Sequence, residues 1–470
     1  MIKETGISRY HLSGSQHKLL SCLLLVYLPF IVAFASDLSP SQDAKSGDLR
    51  LSTFDIDATP PVGSILAYDT MSNVWDMGLR ARGIVLQGAG LPIVLCSIDW
   101  IEISNRSQDV FQHALAKAAG TIPERVSVHT VHQHDAPICD FTAEQILLKA
   151  GLVPGNFDGR YAREMIRRLE NAVKISVLHA QPVTHIGLGE AQVFKVASNR
   201  RILGPDGRVR DTRYTTCQDS ALRAEPEGLV DPMISLVSFW NKDHPLAVLS
   251  YYAVHPQSYY RTGIANPDFP GIARFFRQLA IPDALHIHFN GAGGNVGAGK
   301  YNDGSHINRG ILAERLADGM KRAWESTRIE PIDAGDVEWT VDSIALPPAK
   351  YIEKLKDDVN LKDTSSLRKY AGQLAWLQWC QSGRKVNVTC LKLGRARILH
   401  LPGESFVEYQ LAAKAERPDL FVAVAAYSNC GPAYVCTAIA YEQGGYEAGA
   451  SNVSPDTEGI LMGAIRKLLH

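Results

Sequence analysis

Residues 84–99 read IVLQGAGLPIVLCSID, and they set a pattern that the rest of the chain repeats. Two apolar runs flank the glycine-rich segment 87–90, which predicts two strands joined by a turn. Residues 108–119 then carry apolar side chains at helical spacing and end at a glycine, and residues 126–130 predict another strand. This order of strand, strand, helix and strand indicates a protein that mixes both kinds of element.

The same alternation continues toward the C-terminus. Further strands are predicted over 234–240, 246–254, 286–289, 395–401 and 420–427. Further helices are predicted over 161–179, 271–280, 310–325, 349–383 and 405–416. Strands that alternate with helices predict an α/β (α+β) fold, a mixed β-sheet flanked by helices. No break in composition divides residues 48–470, which we expect to form a single large catalytic domain.

The composition is that of an ordinary globular protein. Hydrophobic residues make up 46% of the 470 residues and charged residues 21%, which excludes global disorder. Lys and Arg total 48 against 49 Asp and Glu, a net charge of −1. This balance argues against a protein that binds nucleic acid through a broad basic surface.

The N-terminus has the pattern of an export signal. Within residues 1–35, a positively charged start precedes the apolar run 19–32 and an Ala-Phe-Ala exit, as in a secretory signal peptide cleaved after Ala35. An uncleaved membrane anchor is the alternative, because the run approaches spanning length; Pro29 and the exit favour cleavage. Residues 36–47 are polar and predict a flexible lead-in. We therefore expect a secreted or periplasmic protein with no stable membrane span after signal removal.

Cysteine spacing is compatible with that location. Close spacing in an oxidising compartment predicts two disulfides, Cys380–Cys390 and Cys430–Cys436. A third disulfide, Cys139–Cys217, is left open. Cys96 lies inside an apolar strand, so we expect a buried free thiol. The sequence has no CxxC pair, which argues against a zinc site built from thiolates.

Residues 126–137 read VSVHTVHQHDAP and supply the first chemical signal. His132 and His134 follow a predicted strand two positions apart, so in extended chain they point to the same face. Neutral imidazole is the commonest zinc ligand. A polar surface loop is the alternative, but three histidines within six residues favour a metal.

Two more candidate ligands follow predicted strands. His255 ends the strand 246–254; a lone histidine there is often structural, and it gains meaning only if it meets His132. Glu404 follows the strand 395–401 and could complete a His/His/Glu metal set. Alternatively, Glu404 lies in the first turn of a helix, where the macrodipole favours a carboxylate. Since strand ends are where open α/β sheets bind ligands, we expect these residues to converge.

Two further segments carry no metal ligand pattern of their own. The glycine-rich stretch 290–299 could offer backbone N–H groups to an anion or oxyanion, with a flexible linker as the alternative. It lacks the spacing of a dinucleotide fingerprint. Residues 441–451 alternate aromatic, acidic and glycine residues, which is poor core material. From the residues alone, a His/His/Glu zinc centre that activates water is expected, as in a hydrolase.

Six motifs, in this order, resemble those of the neutral/alkaline non-lysosomal ceramidase family, from about residue 57 to residue 451. They are His132 to Pro137 (family HTHSGP), Asn199-Arg200 (NRSP), residues 253–258 (AVHGTS), residues 294–297 (GDVS), residues 402–404 (PGE) and residues 441–451 (EEYxxQxYEGAS). Each motif is short, but six in order are specific.

The resemblance implies one Zn²⁺ held by His132, His255, Glu404 and a tyrosine. Tyr441 aligns best as that tyrosine, and Tyr446 is the second choice. A bound zinc ion would activate a water molecule for attack on an amide carbonyl.

The resemblance also implies the catalytic residues. His134 and Arg200 would face the scissile amide and stabilise the oxyanion, and Tyr446 would join them. The substrate is then a small molecule or a lipid-like amide.

Two departures from the family open alternatives. Gly297 stands where the family has the serine of GDVS, and the chain ends soon after the tyrosine motif, with no C-terminal β-sandwich. The chain is thus similar to the short bacterial-type members, which correspond to the N-terminal catalytic domain. Another amide, an ester or a lactone as substrate, or a non-catalytic binding protein, remains an alternative, and the oligomeric state stays open.

Overall fold

The computed structural model describes residues 48–75, 77–358 and 363–470. These residues belong to one compact unit. The expected signal peptide 1–35 and lead-in 36–47 lie outside the described residues. Within the described ranges, no helix is long and apolar enough to cross a bilayer.

The strands, numbered in chain order, are β1 Arg50–Asp57, β2 Arg80–Gly88, β3 Gly90–Ile98, β4 Glu102–Ile103, β5 Val126–Thr130, β6 Ile138–Cys139, β7 Gln181–Pro182, β8 His185–Gln192, β9 Ser198–Asn199, β10 Arg201–Leu203, β11 Val209–Thr212, β12 Met233–Asn241, β13 His244–Tyr252, β14 Leu285–Asn290, β15 Val296–Gly297, β16 Arg328–Pro331, β17 Val337–Ile344, β18 Val386–Leu393, β19 Ala396–Pro402, β20 Glu404–Ser405, β21 Phe421–Ser428 and β22 Tyr434–Val435.

The α-helices are α1 Arg106–Ala119, α2 Phe141–Lys149, α3 Arg160–Val177, α4 Ser220–Ala224, α5 Asp268–Ala280, α6 Ile307–Glu325, α7 Lys350–Asp358, α8 Thr364–Gln381, α9 Val407–Glu416, α10 Ala438–Gln443, α11 Tyr446–Ala450 and α12 Thr457–Leu469.

Three large sheets form the frame of the molecule. Their strand orders are β5-β3-β2-β1-β7, β14-β13-β12-β8-β16 and β17-β18-β19-β21. The expected α/β class with helices flanking mixed sheet is confirmed, with several sheets in place of one. Each sheet is mixed because it contains one parallel strand pair among antiparallel ones. The parallel pairs are β3 with β5, β13 with β14, and β19 with β21.

The inner faces of the three sheets share one apolar core, and helices cover the outer faces. Ile84 and Leu86 of β2 belong to the shared core, whereas Val85 between them packs with α1 and α3. Because both faces of these strands are buried, their sequences are nearly continuous apolar runs. That burial explains why residues 84–99 could be read as strands at all.

A single buried histidine links the three sheets near the ends of their parallel pairs. His129 of β5 donates from Nδ1 to the carbonyl of Ala426 in β21 at 2.5 Å. Its Nε2 accepts from the backbone N–H of Asn290 in β14 at 2.9 Å. Burial keeps its pKa well below the ordinary value, so the ring stays neutral. The carboxyl ends of the three parallel pairs are thereby brought to one place.

Local signals account for the element boundaries. Helix α1 ends at Gly120, whose φ of 69° is left-handed and suits glycine. Residues 349–383, predicted as one helix, form α7 and α8 instead. The side chain of Asp363 caps α8 by accepting from the N–H of Ser365, which starts a new helix there.

The described cysteines are all free. The two expected disulfides, Cys380–Cys390 and Cys430–Cys436, are therefore wrong. The third pair, Cys139 and Cys217, is not bonded either. The sulfurs have separate partners. Cys380 Sγ donates to the carbonyl of Leu346 at 3.5 Å, and Cys430 Sγ donates to that of Tyr427 at 3.6 Å. Cys96 is a buried free thiol, as predicted.

Candidate metal centre

His132 is fixed by the segment that follows β3. Its φ of 71° lies in the left-handed region that side-chain-bearing residues rarely adopt. The backbone N–H of His132 donates to the carbonyl of Trp100 at 2.9 Å, and its Nδ1 donates to that of Ile101 at 2.6 Å. With Nδ1 donating, Nε2 keeps its lone pair. The strained backbone therefore presents an imidazole lone pair to the site.

His134 and His255 meet the same point from two sheets. Their Nε2 atoms lie 2.8 Å apart, a hydrogen bond in which one ring carries the proton. His255 follows β13, and its N–H donates to the carbonyl of Val296 at 2.8 Å. His132, His134 and His255 offer ligand atoms within 4.8 Å of one another, so they could hold a metal ion. The sequence hypothesis that His255 converges with the H-x-H pair is confirmed.

Glu404 completes the arrangement from β20, which directly follows β19 of the third large sheet. Its Oε2 lies 3.4 Å from Nε2 of His132 and 3.6 Å from Nδ1 of His255. Two ligands about 2.0–2.1 Å from one ion at the tetrahedral angle lie about 3.4 Å apart. Oε2 of Glu404 and Nδ1 of His255 are buried without a hydrogen-bond partner. The three side chains thus fit the donor set of a zinc site.

The charge states of the histidines suit metal binding. Burial, together with the charges of neighbouring groups that include Arg200, keeps the pKa of His255 and of His134 well below the ordinary value. Burial lowers the pKa of His132, but the carboxylate of Glu404, the carbonyl of Ile101 and the charge of Glu102 together raise it by more, so the net pKa is raised. Two neutral imidazoles and one imidazole beside a carboxylate are competent ligands.

Tyr441 does not occupy the place that the sequence suggested for it. The hydroxyl of Tyr441 is 2.8 Å from Ser451 Oγ and donates to the carbonyl of Val453 at 2.8 Å. No contact joins it to the described histidines or to Glu404. Tyr434 instead pairs with Glu404 in parallel register, β22 against β20. The structure therefore places Tyr434, which the sequence analysis did not single out, beside Glu404 and Arg200.

Arg200 is buried beside the centre and is not a surface residue. Its side chain is 4% exposed, and its Nε lies 3.2 Å from Oε1 of the buried Glu447. It also donates to the carbonyl of Gly294. Burial lowers the pKa of Arg200, but Tyr434 and Glu447 outweigh burial and raise it. The guanidinium is therefore a fixed positive charge near the histidines.

Tyr446 lies at the mouth of the site and is half exposed. Its ring meets that of Tyr434 edge to face, with centroids 5.7 Å apart. Burial and the carboxylate of Glu404 raise its pKa. Tyr446 is thus close enough to Glu404 for the carboxylate charge to affect its hydroxyl.

Two other tyrosines escaped the sequence analysis. Tyr427 has φ of 60° and stacks on His132 with ring centroids 4.6 Å apart. Tyr68 stacks on His134 at 5.4 Å and is 43% exposed. Tyr427 ends the predicted strand 420–427, which was a usable signal, whereas Tyr68 comes from a loop with no pattern.

The glycine-rich stretch packs closely against neighbouring backbone, and several of its N–H groups already have hydrogen-bond partners. The N–H of Gly291 donates to Tyr252 and that of Gly294 to Ser405. A Cβ on Gly294 would lie 2.2 Å from the carbonyl of Glu404. Glycine is required because the loop is wedged against the backbone that carries Glu404.

A groove of about 500 Å³ lies near the centre. Its lining combines apolar residues, among them Val62, Ile65, Trp100 and Ile138, with the charged residues Asp158, Arg160 and Glu164. The carbonyl of Trp100 accepts from the backbone N–H of His132, so one residue of the lining contacts the metal centre.

Comparisons with known proteins support the fold. No protein-family model and no curated protein matches the chain. The solved structure of neutral ceramidase from Pseudomonas aeruginosa is similar, with a TM-score of 0.65 and 17% identity over 90% of this chain and 74% of that one. A structure described as ceramidase complexed with C2 is similar too, with a TM-score of 0.64, 16% identity and coverage of 90% and 75%. The resemblance seen in the six sequence motifs is thus confirmed in three dimensions: this chain has the fold of the neutral ceramidases.

Proposed function

We propose that this protein is an exported zinc-dependent hydrolase of ceramidase type that cleaves an amide (N-acyl) bond. One observation carries the proposal: Nε2 of His132 and Nδ1 of His255 converge on Oε2 of Glu404 at 3.4 and 3.6 Å. These atoms lie at the joined ends of three parallel strand pairs in a fold shared with neutral ceramidase.

The chain's own residues have separable roles in this proposal. Bound zinc would supply Lewis acidity and lower the pKa of water to near neutrality. Arg200 holds positive charge next to His134 and His255 and would stabilise charge that develops on the substrate carbonyl. His134 has an unpartnered, buried Nδ1, which is free to hydrogen-bond with the reacting group. Tyr446 would close the mouth of the site over the substrate.

The groove supports an amide with an apolar chain. Its volume of about 500 Å³ and the apolar part of its lining fit an acyl or alkyl chain. The same centre would also polarise an ester or lactone carbonyl, so the leaving group must be identified by experiment.

Protein produced without residues 1–35 should be assayed for zinc and for hydrolysis of matched N-acyl amides and acyl esters. We expect about one zinc per chain and amide cleavage that is lost on chelation and restored by zinc. Stable zinc binding without hydrolysis of any amide would contradict the catalytic proposal and favour a binding protein. Ester cleavage alone would move the proposal to an esterase.

Export is a separate part of the proposal, and residues 1–35 alone support it. Because the described cysteines are free, thiol chemistry adds no argument for an oxidising compartment. N-terminal sequencing of the exported protein should find Ser36 as its first residue. A cytoplasmic protein that retains Met1 would refute this part and leave the hydrolase proposal intact.

A further inference from the structure

Glu102 is a carboxylate that the fold leaves without a partner. It follows Ile101, whose carbonyl accepts from Nδ1 of His132 at 2.6 Å. Among the described residues, no side chain or backbone group hydrogen-bonds or ion-pairs with its carboxylate. Its carboxylate oxygens are not completely buried, and the side chain is partly exposed. The carboxylate therefore opens onto accessible space.

Glu102 has neighbours in both the groove and the metal centre. Glu102 of β4 pairs in parallel register with Ile138 of β6, and side chains at registered positions share a face of the sheet. Ile138 lines the groove. The Glu102 charge also reaches the centre, since it contributes to raising the pKa of His132 and of Tyr68.

A purely structural role does not account for this side chain. Burial raises the pKa of Glu102 to about 7, so the fold disfavours its charged form. A partly buried polar group without a partner costs free energy that an apolar side chain of the same size would avoid. A hydrogen-bond donor that arrives with a ligand would remove this cost.

We infer that Glu102 is a specificity-determining residue that accepts a hydrogen bond from a hydroxyl or ammonium group of the substrate, placed next to the scissile carbonyl. The reaction itself rests on the proposed function, whereas the recognition by Glu102 can be measured without turnover.

The test uses three matched probes on metal-free protein: N-hexanoylethanolamine, N-hexanoylethylenediamine and N-hexanoylethylamine. Calorimetry should show that the wild-type protein binds at least one of the first two about 10- to 100-fold more tightly than the ethylamine probe, as expected for hydrogen bonds to a charged group. Glu102→Met should bind all three alike. Glu102→Gln, which keeps an acceptor, should retain a preference for the hydroxyl probe and lose one for the ammonium probe.

Glu124→Met, on the surface, is the matched control and should bind as the wild type does. Equal binding of all three probes to the wild type, no binding of any probe, or a preference that survives in Glu102→Met would overturn the inference. Zinc-loaded protein separates the two proposals. If the protein prefers the hydroxyl or ammonium probe but cleaves no amide, the hydrolase proposal is rejected and the role of Glu102 in recognition stands. If it cleaves amides but shows no probe preference, the hydrolase proposal stands and the role of Glu102 is rejected.

Discussion

Glu404 and Tyr434 are registered partners on the parallel strands β20 and β22, so a carboxylate and a phenol project from the same face toward the metal centre. The pairing explains why Tyr434 and not Tyr441 lies there. It also fixes the phenol against Arg200, whose guanidinium carbon is 5.4 Å from the centre of the Tyr434 ring.

We therefore expect Tyr434→Phe and Tyr441→Phe to behave differently. Tyr434→Phe should weaken zinc binding by about 10-fold or more, because an oxygen at the centre is lost. Tyr441→Phe should leave zinc affinity unchanged and lower the free energy of unfolding by about 1 kcal/mol, since its hydroxyl binds only Ser451 and Val453. Zinc competition titrations and urea denaturation distinguish them. Weaker zinc binding in Tyr441→Phe, with unchanged binding in Tyr434→Phe, would identify Tyr441 as the metal ligand.

Removal of either histidine ligand should remove the metal. His132→Ala and His255→Ala should each carry less than about a tenth of the wild-type zinc after dialysis, because an incomplete ligand set binds weakly. His179→Ala, an exposed histidine remote from the site, is the control and should keep full occupancy. Elemental analysis gives the result, and full zinc in both site variants would eliminate the proposed centre.

Replacement of Arg200 should reduce turnover without removing the metal. Arg200→Ala should lower kcat by about 10²–10³, the usual effect of deleting one group that stabilises an oxyanion. Arg200→Lys keeps the positive charge at this position, so it serves as a second variant in case Arg200→Ala does not fold. Arg201→Ala is matched, because Arg201 also pairs with Glu447, at 3.3 Å, and it should retain activity. Equal losses in the Arg200 and Arg201 variants would indicate that Arg200 serves only to hold Glu447.

Gly297→Ser should be tolerated. A Cβ at Gly297 would lie 3.3 Å from Thr215 Oγ1 and 3.4 Å from Arg200 Cδ, contacts that side chains can relieve. The control Gly299→Ser would bring its Cβ to 2.1 Å from the carbonyl of Tyr214, so it should unfold or aggregate. Thermal denaturation should find Gly297→Ser within a few degrees of the wild type. Hydrolysis of ceramide by Gly297→Ser and the wild type then tests whether the added hydroxyl beside Arg200 widens the substrate range.

Glu102 should make stability depend on pH in the metal-free protein. Its pKa is raised from 4.5 to about 7 in the fold, so between these values the unfolded state releases the proton first. Wild-type stability should therefore fall, relative to Glu102→Gln, as pH rises from about 4.5 to about 7, and the difference should level off above that. About 1.4 kcal/mol per pKa unit gives a difference on the order of 1–3 kcal/mol. Parallel stability curves from pH 4 to pH 8 would show that the carboxyl is not perturbed.

The fold and the metal ligands could be predicted because each has a local signal. Apolar runs buried on both faces mark β2, β3 and β13, and His132, His255 and Glu404 each follow such a run directly. Position after a strand was enough to propose convergence. The division into three sheets could not be read, since every strand looks alike from its own sequence.

The residues that were missed depend on long-range pairing. Tyr434 reaches the site because β22 pairs with β20, and a two-residue strand leaves no pattern in the sequence. Tyr68 arrives from an irregular loop. The disulfides failed for a related reason: Cys380 lies on a helix and Cys390 on a strand, and closeness in the chain says nothing about the direction of a side chain.

His132, His255 and Glu404 follow strands of three different sheets, which also bears on how the chain folds. A metal ion can engage all three only after the sheets have docked, so it binds the native state and not partly assembled forms. Their wide separation along the chain makes this docking a high-contact-order event, which slows folding. Added zinc should then slow unfolding and protease attack on all three sheets together, while the rate of reaching the docked state stays the same.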